Sequence, residues 1–341
     1  MRRISRTGKS LIWGGAGLIA VALIVLWYGH IGPFAGKGTP LEKLSIAVSP
    51  TLMSAPIYVA LDRNYFRQEG LDTSLESFTS GKECLKTVLD GKADLATVSD
   101  TPIVLTVMAG QTCAVIATIA QSEKNSALVA RKDRGILQPA DLKGKTIGVT
   151  PATSADFFLD NFFVFHGVPK KSAKIVPLKP EEMQPALTSG RVDAVATWEP
   201  TVTRIQRELG ANAQIYYATG IYRNTWNMVA SADFVRKRPD AVKRLLRALI
   251  KAEQYIVEKP AEAQQIVASH LRVEKETAAS GWNDYYFKVM LDQALFVNLE
   301  SQARWAIQNK LVPAASVPNF MGSLYAEGLK AIRPDAVTIG D

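Results

Sequence analysis

Two turns in this chain gather residues that could hold an anion: Ser49-Pro50-Thr51 and Thr150-Pro151-Ala152-Thr153-Ser154. Each closes a short β-branched run, Ser-Ile-Ala-Val-Ser-Pro over 45–50 and Thr-Ile-Gly-Val-Thr-Pro over 146–151. A hydroxyl at the start of a helix can cap it, and the unpaired N–H groups there attract negative charge. Two further turns carry carboxylates, Ser99-Asp100 and Trp198-Glu199. Facing a cleft, Asp100 and Glu199 would accept hydrogen bonds from a ligand's donor, with Trp198 as a flat apolar wall. Each residue also has a plainer role. Thr153 or Ser154 can cap its own helix, Asp100 can cap the helix opened by Pro102, and Glu199 can complement the dipole of the helix that follows.

Other chemistries find no support. Gly144-Lys145-Thr146 has the ending of a phosphate loop, but Pro139 stands where that motif needs glycine, and the triplet enters a strand. His30, His166 and His270 are too scattered for a local metal site, and no Gly-x-Ser-x-Gly or cysteine–histidine arrangement announces a nucleophile.

The two hydroxyl turns belong to a repeat. Gly91-Lys92-Ala93-Asp94-Leu95-Ala96 is echoed by Gly190-Arg191-Val192-Asp193-Ala194-Val195, about a hundred residues on. The offset pairs Ser49 with Thr150, Asp94 with Asp193, Ser99 with Trp198 and Asp100 with Glu199. Two copies imply two similar lobes, not a solenoid. Strands are expected over 45–49, 71–77, 94–98, 113–120 and 127–130, with helices between them, one of them running unbroken to Gly70. The pattern restarts with strands over 146–150, 174–178 and 193–197. This is the β–α–β alternation of a parallel sheet with covering helices. A strand over 226–231 precedes helices, and Leu245, Leu246, Leu249, Ile250 and Ile256 form a core-facing stripe. One lobe is therefore expected from 41–128 plus 229–341, with the other, 129–228, inserted. The crossings, near 127–131 and 227–230, would form a hinge.

The 341 residues are enough for two cores, and 47% apolar with 21% charged residues is ordinary globular composition. The net charge of +8 is concentrated at one end: Arg2, Arg3, Arg6, Lys9 and Lys37 precede the first acidic residue, Glu42. The near-neutral body lacks a basic stripe with interleaved aromatics, which argues against nucleic-acid binding. The early basic residues flank an apolar run over 11–28. No small-residue cleavage site follows it, so an uncleaved anchor is favoured over a removed signal, with the body outside and residues 32–40 as tether. Cys84 and Cys113 would then lie where a disulfide is permitted, although two buried thiols are the simpler reading.

Several segments together resemble one family. They are Asp141-Leu142-Lys143-Gly144-Lys145-Thr146-Ile147-Gly148-Val149 with Thr153-Ser154-Ala155, and Ser189-Gly190-Arg191-Val192-Asp193-Ala194 with Trp198-Glu199-Pro200. Tyr58-Val59-Ala60, Tyr65-Phe66, Glu69-Gly70-Leu71 and Gly91-Lys92-Ala93-Asp94 complete the set, so the likeness covers about residues 44–250. The chain resembles the nitrate/sulfonate/taurine-type solute-binding proteins of ABC importers. The resemblance implies a two-lobed α/β fold of the type II periplasmic-binding class, with a solute between the lobes. It implies contacts from Ser49 and Thr51, from Ser80, from Ser99 and Asp100, from Gln121, from Thr153 and Ser154, and from Trp198 and Glu199. It implies no catalysis, cofactor or metal, a monomer, and an ABC permease as partner on the periplasmic side of the inner membrane. The retained apolar anchor departs from the cleaved or lipidated pattern of the family. Asp100 and Glu199 point away from a bare inorganic anion and toward a zwitterion such as an aminoalkyl sulfonate, or a nitrogen heterocycle. A pyrimidine-synthesising enzyme branch resembles the same fold, but its histidine and cysteine chemistry finds no match here. A ligand-sensing membrane protein is the third reading.

Overall fold

The structure, a computed structural model, describes residues 40–339. The apolar run over 11–28 and all but the last residue of the expected tether lie outside the described residues. Among the described residues no helix is long and apolar enough to cross a membrane.

The chain lays down β1 (Glu42–Val48), β2 (Leu71–Ser77), β3 (Leu95–Ser99) and β4 (Ala114–Ser122) with helices between them. It then builds β5 (Ser126–Arg131), β6 (Thr146–Val149), β7 (Lys174–Pro177), β8 (Ala194–Trp198) and β9 (Ala213–Tyr217), and returns for β10 (Asn224–Ala230) and β11 (Tyr285–Met290). Two sheets result, ordered β2-β1-β3-β10-β4-β11 and β7-β6-β8-β5-β9. In each sheet the leading three strands are parallel and the fourth is antiparallel. That antiparallel strand is delivered by the crossing: β5 comes straight from the first lobe, and β10 straight from the second. The two-lobed α/β architecture expected from the repeat is present.

The repeated aspartates show why the halves fold alike. The Asp94 carboxylate accepts the N–H of Ser45 on β1 at 2.8 Å, and Asp193 accepts the N–H of Thr146 on β6 at 2.8 Å. Each precedes the third strand of its lobe and locks it beside the first. Gly91 and Gly190, just upstream, both sit in the left-handed region at φ 70° and 78°, which a side chain would strain.

Four expectations shift. The crossings fall at 123–125 and 218–223, not at 127–131 and 227–230, so β5 belongs wholly to the second sheet and β10 wholly to the first. The expected lobe boundaries at 128 and 229 move accordingly. Both strands are buried on both faces, so apolar content alone does not say which sheet they join; antiparallel pairing decides it. The helix expected to run to Gly70 is two, Ala55–Asp62 and Tyr65–Gln68, parted at left-handed Asn64 (φ 58°). Strands β9 and β11 were not expected. They are edge strands whose mixed polar and aromatic residues lack a strand's clean alternation. Cys84 and Cys113 are buried and unbonded, and burial pushes the Cys113 thiol up to about 12.

The main core is continuous between the lobes. Phe157 and Phe158, on the helix Ser154–Phe165 of the second lobe, join the same apolar cluster as the first lobe's sheet, while Leu178, Met183, Leu187, Val202 and Ile205 form a smaller core behind the second sheet. Phe157 meets Tyr222 edge-on at 5.0 Å and Trp305 at 5.4 Å. The Trp305 indole, on the helix Gln293–Gln308 of the first lobe, donates to Asp160 at 2.8 Å. The lobes are thus drawn together.

Candidate functional site

The carboxyl ends of β1, β3, β6 and β8 converge where the lobes meet, the place at which open parallel sheets hold ligands. A small cavity of ≈ 20 Å³ lies there, about the room one water needs. Ser49, Thr51, Ser80 and Ser99 line it from the first lobe, Thr153, Ser154 and Trp198 from the second. Seven of the ten candidate residues are therefore brought together.

Two helices point their first turns at this cavity from opposite lobes. Ser80 caps Gly81–Leu89 by accepting the Glu83 N–H at 3.3 Å. Thr153 stands at the cap position of Ser154–Phe165 but donates its hydroxyl to the Thr150 carbonyl at 2.7 Å, so it does not cap through its side chain. Ser99 likewise makes no side-chain cap for the helix Asp100–Met108. The leading N–H groups of each helix have no intrahelical partner, and both macrodipoles present their positive ends. Lys82 adds a positive side chain, and no carboxylate lines this cavity. Gly81 packs against β3: a Cβ there would come within 3.2 Å of the Thr97 carbonyl oxygen, so glycine lets the helix start seat against the strand end.

The remaining three candidates stand elsewhere, which corrects the expectation that they face a common groove. Asp100 is fully buried. It accepts hydrogen bonds from the Tyr222 hydroxyl, the Asn298 amide, the Thr225 hydroxyl at 3.2 Å and the Thr101 N–H at 3.0 Å. Burial pushes its carboxyl above the usual range, and the Tyr222 hydroxyl pulls in the other direction. The helix Gln293–Gln308 roofs it, so no acceptor is left for a solute. Gln121 lies on β4 at a separate open groove with Arg223 and Asp284. Glu199 accepts the Thr203 N–H at 3.1 Å, the plain helix-start role, and its side chain lines a second cavity of ≈ 370 Å³.

Five residues of the small cavity, Gly81, Lys82, Pro102, Asn125 and Trp226, are not among the candidates. Asn125 sits on the crossing and meets the Thr51 hydroxyl at 3.4 Å; the polar Glu123-Lys124-Asn125 between two apolar strands was its signal. Trp226, on β10, donates its indole N–H to Ser54 at 3.0 Å, and Ser54 donates to the Ser49 carbonyl at 2.9 Å. Nothing in the local sequence set Trp226 apart from a core tryptophan.

The two sheets with antiparallel fourth strands, joined by paired crossings around an interlobe cavity, define a periplasmic-binding-protein fold of type II. A family model described as NMT1/THI5 like matches residues 52–263, more than half the chain, and the protein belongs to that family. A Bacillus subtilis (strain 168) protein named for binding aliphatic sulfonates is 25% identical over 264 residues, 76% of this chain and 78% of the relative. The taurine-binding periplasmic protein of Escherichia coli (strain K12) is 22% identical over 223 residues, 64% of this chain and 68% of its own. The alkanesulfonate-binding protein SsuA of Xanthomonas axonopodis pv. citri, solved with MOPS bound, superposes with a TM-score of 0.74. It is 17% identical, and the match covers 85% of this chain and all of that one. Both of these curated relatives are named as binding proteins.

Proposed function

We propose that this protein is the extracytoplasmic solute receptor of an ABC importer, and that it holds a small sulfonate-, taurine- or nitrate-like anion between its lobes. The observation that carries the reading is the pair of helix starts, at Ser80 and at Thr153, meeting from opposite lobes across one hydroxyl-lined space with no carboxylate in it. Backbone N–H groups and hydroxyls would bind the three oxygens of a sulfonate or nitrate, with Lys82 adding positive charge. With Asp100 roofed over and Glu199 in another cavity, the case against a bare oxyanion no longer stands, and nitrate joins the sulfonates as a candidate. Ser49, Thr51, Ser80, Ser99, Thr153 and Ser154 would bind the oxygens, and Trp198 would cover an alkyl portion. Relatives named for sulfonates and taurine support the class. In this conformation the cavity has room for about one water, so a solute would enter with the lobes apart and be enclosed as they close. Delivery to a permease at the inner membrane, from its periplasmic side, completes the role.

Thermal unfolding of the full chain with methanesulfonate, taurine and nitrate tests this. A ligand at a hundred times its Kd should raise stability by about 2.7 kcal/mol. Ser154→Asp, which sets a negative charge at the helix start, should abolish that gain while leaving the apo melting temperature near that of wild type. If none of these anions shifts the melting temperature, the receptor reading fails.

A further inference from the structure

The second cavity, ≈ 370 Å³, also lies at the lobe junction, and the receptor reading does not use it. Three pairs of consecutive residues part it from the small one: Thr51, Asn125 and Trp198 face the small cavity, while Leu52, Lys124 and Glu199 face the larger. The partition is thus built from the first turn, the crossing and the β8 turn. It is closed by the Glu199 N–H donating to the Asn125 carbonyl at 2.9 Å. The two chambers differ in chemistry. The small one holds hydroxyls and a lysine but no carboxylate; the large one holds two carboxylates, Glu199 and Asp284, two cations, Lys124 and Arg207, and two phenols.

Glu199 is the acidic group left to this chamber. One of its oxygens accepts the Thr203 N–H at 3.1 Å. Among the described residues no lysine, arginine or histidine pairs with it. Asp284 is taken by Lys124 at 2.8 Å, so that pair is neutral. Arg207 is solvent-exposed at the rim and donates to the Thr277 hydroxyl of the other lobe. Tyr285 is buried, with 8% of its surface exposed, and its hydroxyl has no hydrogen-bond partner among the described residues. Tyr217 lines the same space, and burial, together with the Glu199 charge, holds both phenols protonated. The apolar side chains of Leu52, Leu271 and Val273 complete the wall. A carboxylate without a cation, an unsatisfied buried hydroxyl and two aromatic rings beside an aliphatic wall make an ammonium site.

We propose that this chamber is a second binding site, which takes a small organic ammonium ion carried on a short alkyl chain. The ammonium sits against Glu199 and the Tyr285 hydroxyl, which accepts one of its hydrogens, and the alkyl chain lies along Leu52, Leu271 and Val273. Both lobes contribute walls, so an occupant bridges them. The site stands apart from the anion receptor reading, and either can fail without the other.

Calorimetric titration of the full chain with n-butylammonium chloride, and separately with methanesulfonate, tests it. Butylammonium should bind saturably at one site, and methanesulfonate should not displace it. Glu199→Gln keeps an acceptor for the Thr203 N–H and removes the charge; it should weaken butylammonium at least tenfold. Tyr285→Phe should weaken it several-fold, with methanesulfonate titrations unchanged. No saturable butylammonium binding by the wild type, an unchanged affinity in Glu199→Gln, or mutual displacement by the two probes would each overturn the second site. Loss of methanesulfonate binding alone would overturn only the receptor reading.

Discussion

The turn after β3 and the turn after β8 occupy the same place in the two lobes, and each carries a carboxylate, yet they do opposite things. Asp100 is enclosed by Tyr222, Thr225 and Asn298 and serves the architecture. Glu199 holds one helix N–H and otherwise opens on a chamber. The local sequence does not separate them; the long C-terminal part of the chain does. Its helix Gln293–Gln308 packs on the start of the helix Asp100–Met108, where the Thr101 hydroxyl meets Gln302 at 2.5 Å. Among the described residues the Glu199 side chain takes one hydrogen bond, from the Thr203 N–H of its own lobe. Duplicated segments keep their internal bonds, as Asp94 and Asp193 do, while what is added outside the repeat sets which copy becomes structural.

Breaking the buried member of the pair should have the largest effect. Asp100→Ala leaves the Tyr222 hydroxyl, the Asn298 amide and the Thr225 hydroxyl without their acceptor in a closed space, at a cost of about 3 kcal/mol or more; urea unfolding measures it. Next come the two aspartates that lock the lobes. Asp94 also accepts the Ser45 hydroxyl at 3.0 Å and Arg238 at 3.0 Å, so Asp94→Ala should cost about 2 kcal/mol against about 1 kcal/mol for Asp193→Ala. Equal losses would mean that neither the Ser45 hydroxyl nor the Arg238 link contributes. Trp305→Phe keeps the ring contact with Phe157 but deletes the hydrogen bond to Asp160 between the lobes. It should shift the balance toward open lobes by about 1 kcal/mol, read as a larger radius of gyration in small-angle scattering.

The smallest change is expected at the open turn. Glu199→Ala loses one helix-start bond, about 1 kcal/mol or less by thermal unfolding. Its pH signature is more specific. Burial raises the Glu199 carboxyl above its ordinary 4.5, so the folded chain holds that proton more tightly than the unfolded one. That contribution is present below the unfolded value and is lost as pH rises through the folded one. The melting temperature of Glu199→Gln should therefore fall less steeply than wild type as pH rises out of the acidic range. Parallel profiles would show that Glu199 is solvated in the chamber.

Much of this arrangement was legible in the residues. Strands of β-branched residues ending in Ser49 and Thr150, and the Gly-basic-x-Asp turns before β3 and β8, gave the lobes and their strand ends, because backbone twist and hydrogen bonding act over a few neighbours. Ser80, Ser99, Thr153 and Ser154 follow from those strand ends. Asp100 and Glu199 did not, since a carboxylate at a strand end reads the same whether a distant helix covers it or not. The crossings were misplaced for a related reason: Ala127–Ala130 and Asn227–Ala230 are buried on both faces, which suits either sheet.

The sequence by itself determined that two like halves would form parallel sheets with hydroxyl-bearing turns at their edges. Those features depend on local pattern, and local pattern repeats. Only the tertiary structure decided which turns share a cavity, that Trp226 and Asn125 join them, and that carboxylates line one chamber of the lobe junction and not the other. Those outcomes depend on contacts between residues a hundred or more positions apart, such as Asp100 with Tyr222 and Asp160 with Trp305. No short stretch of sequence records who its distant neighbours will be.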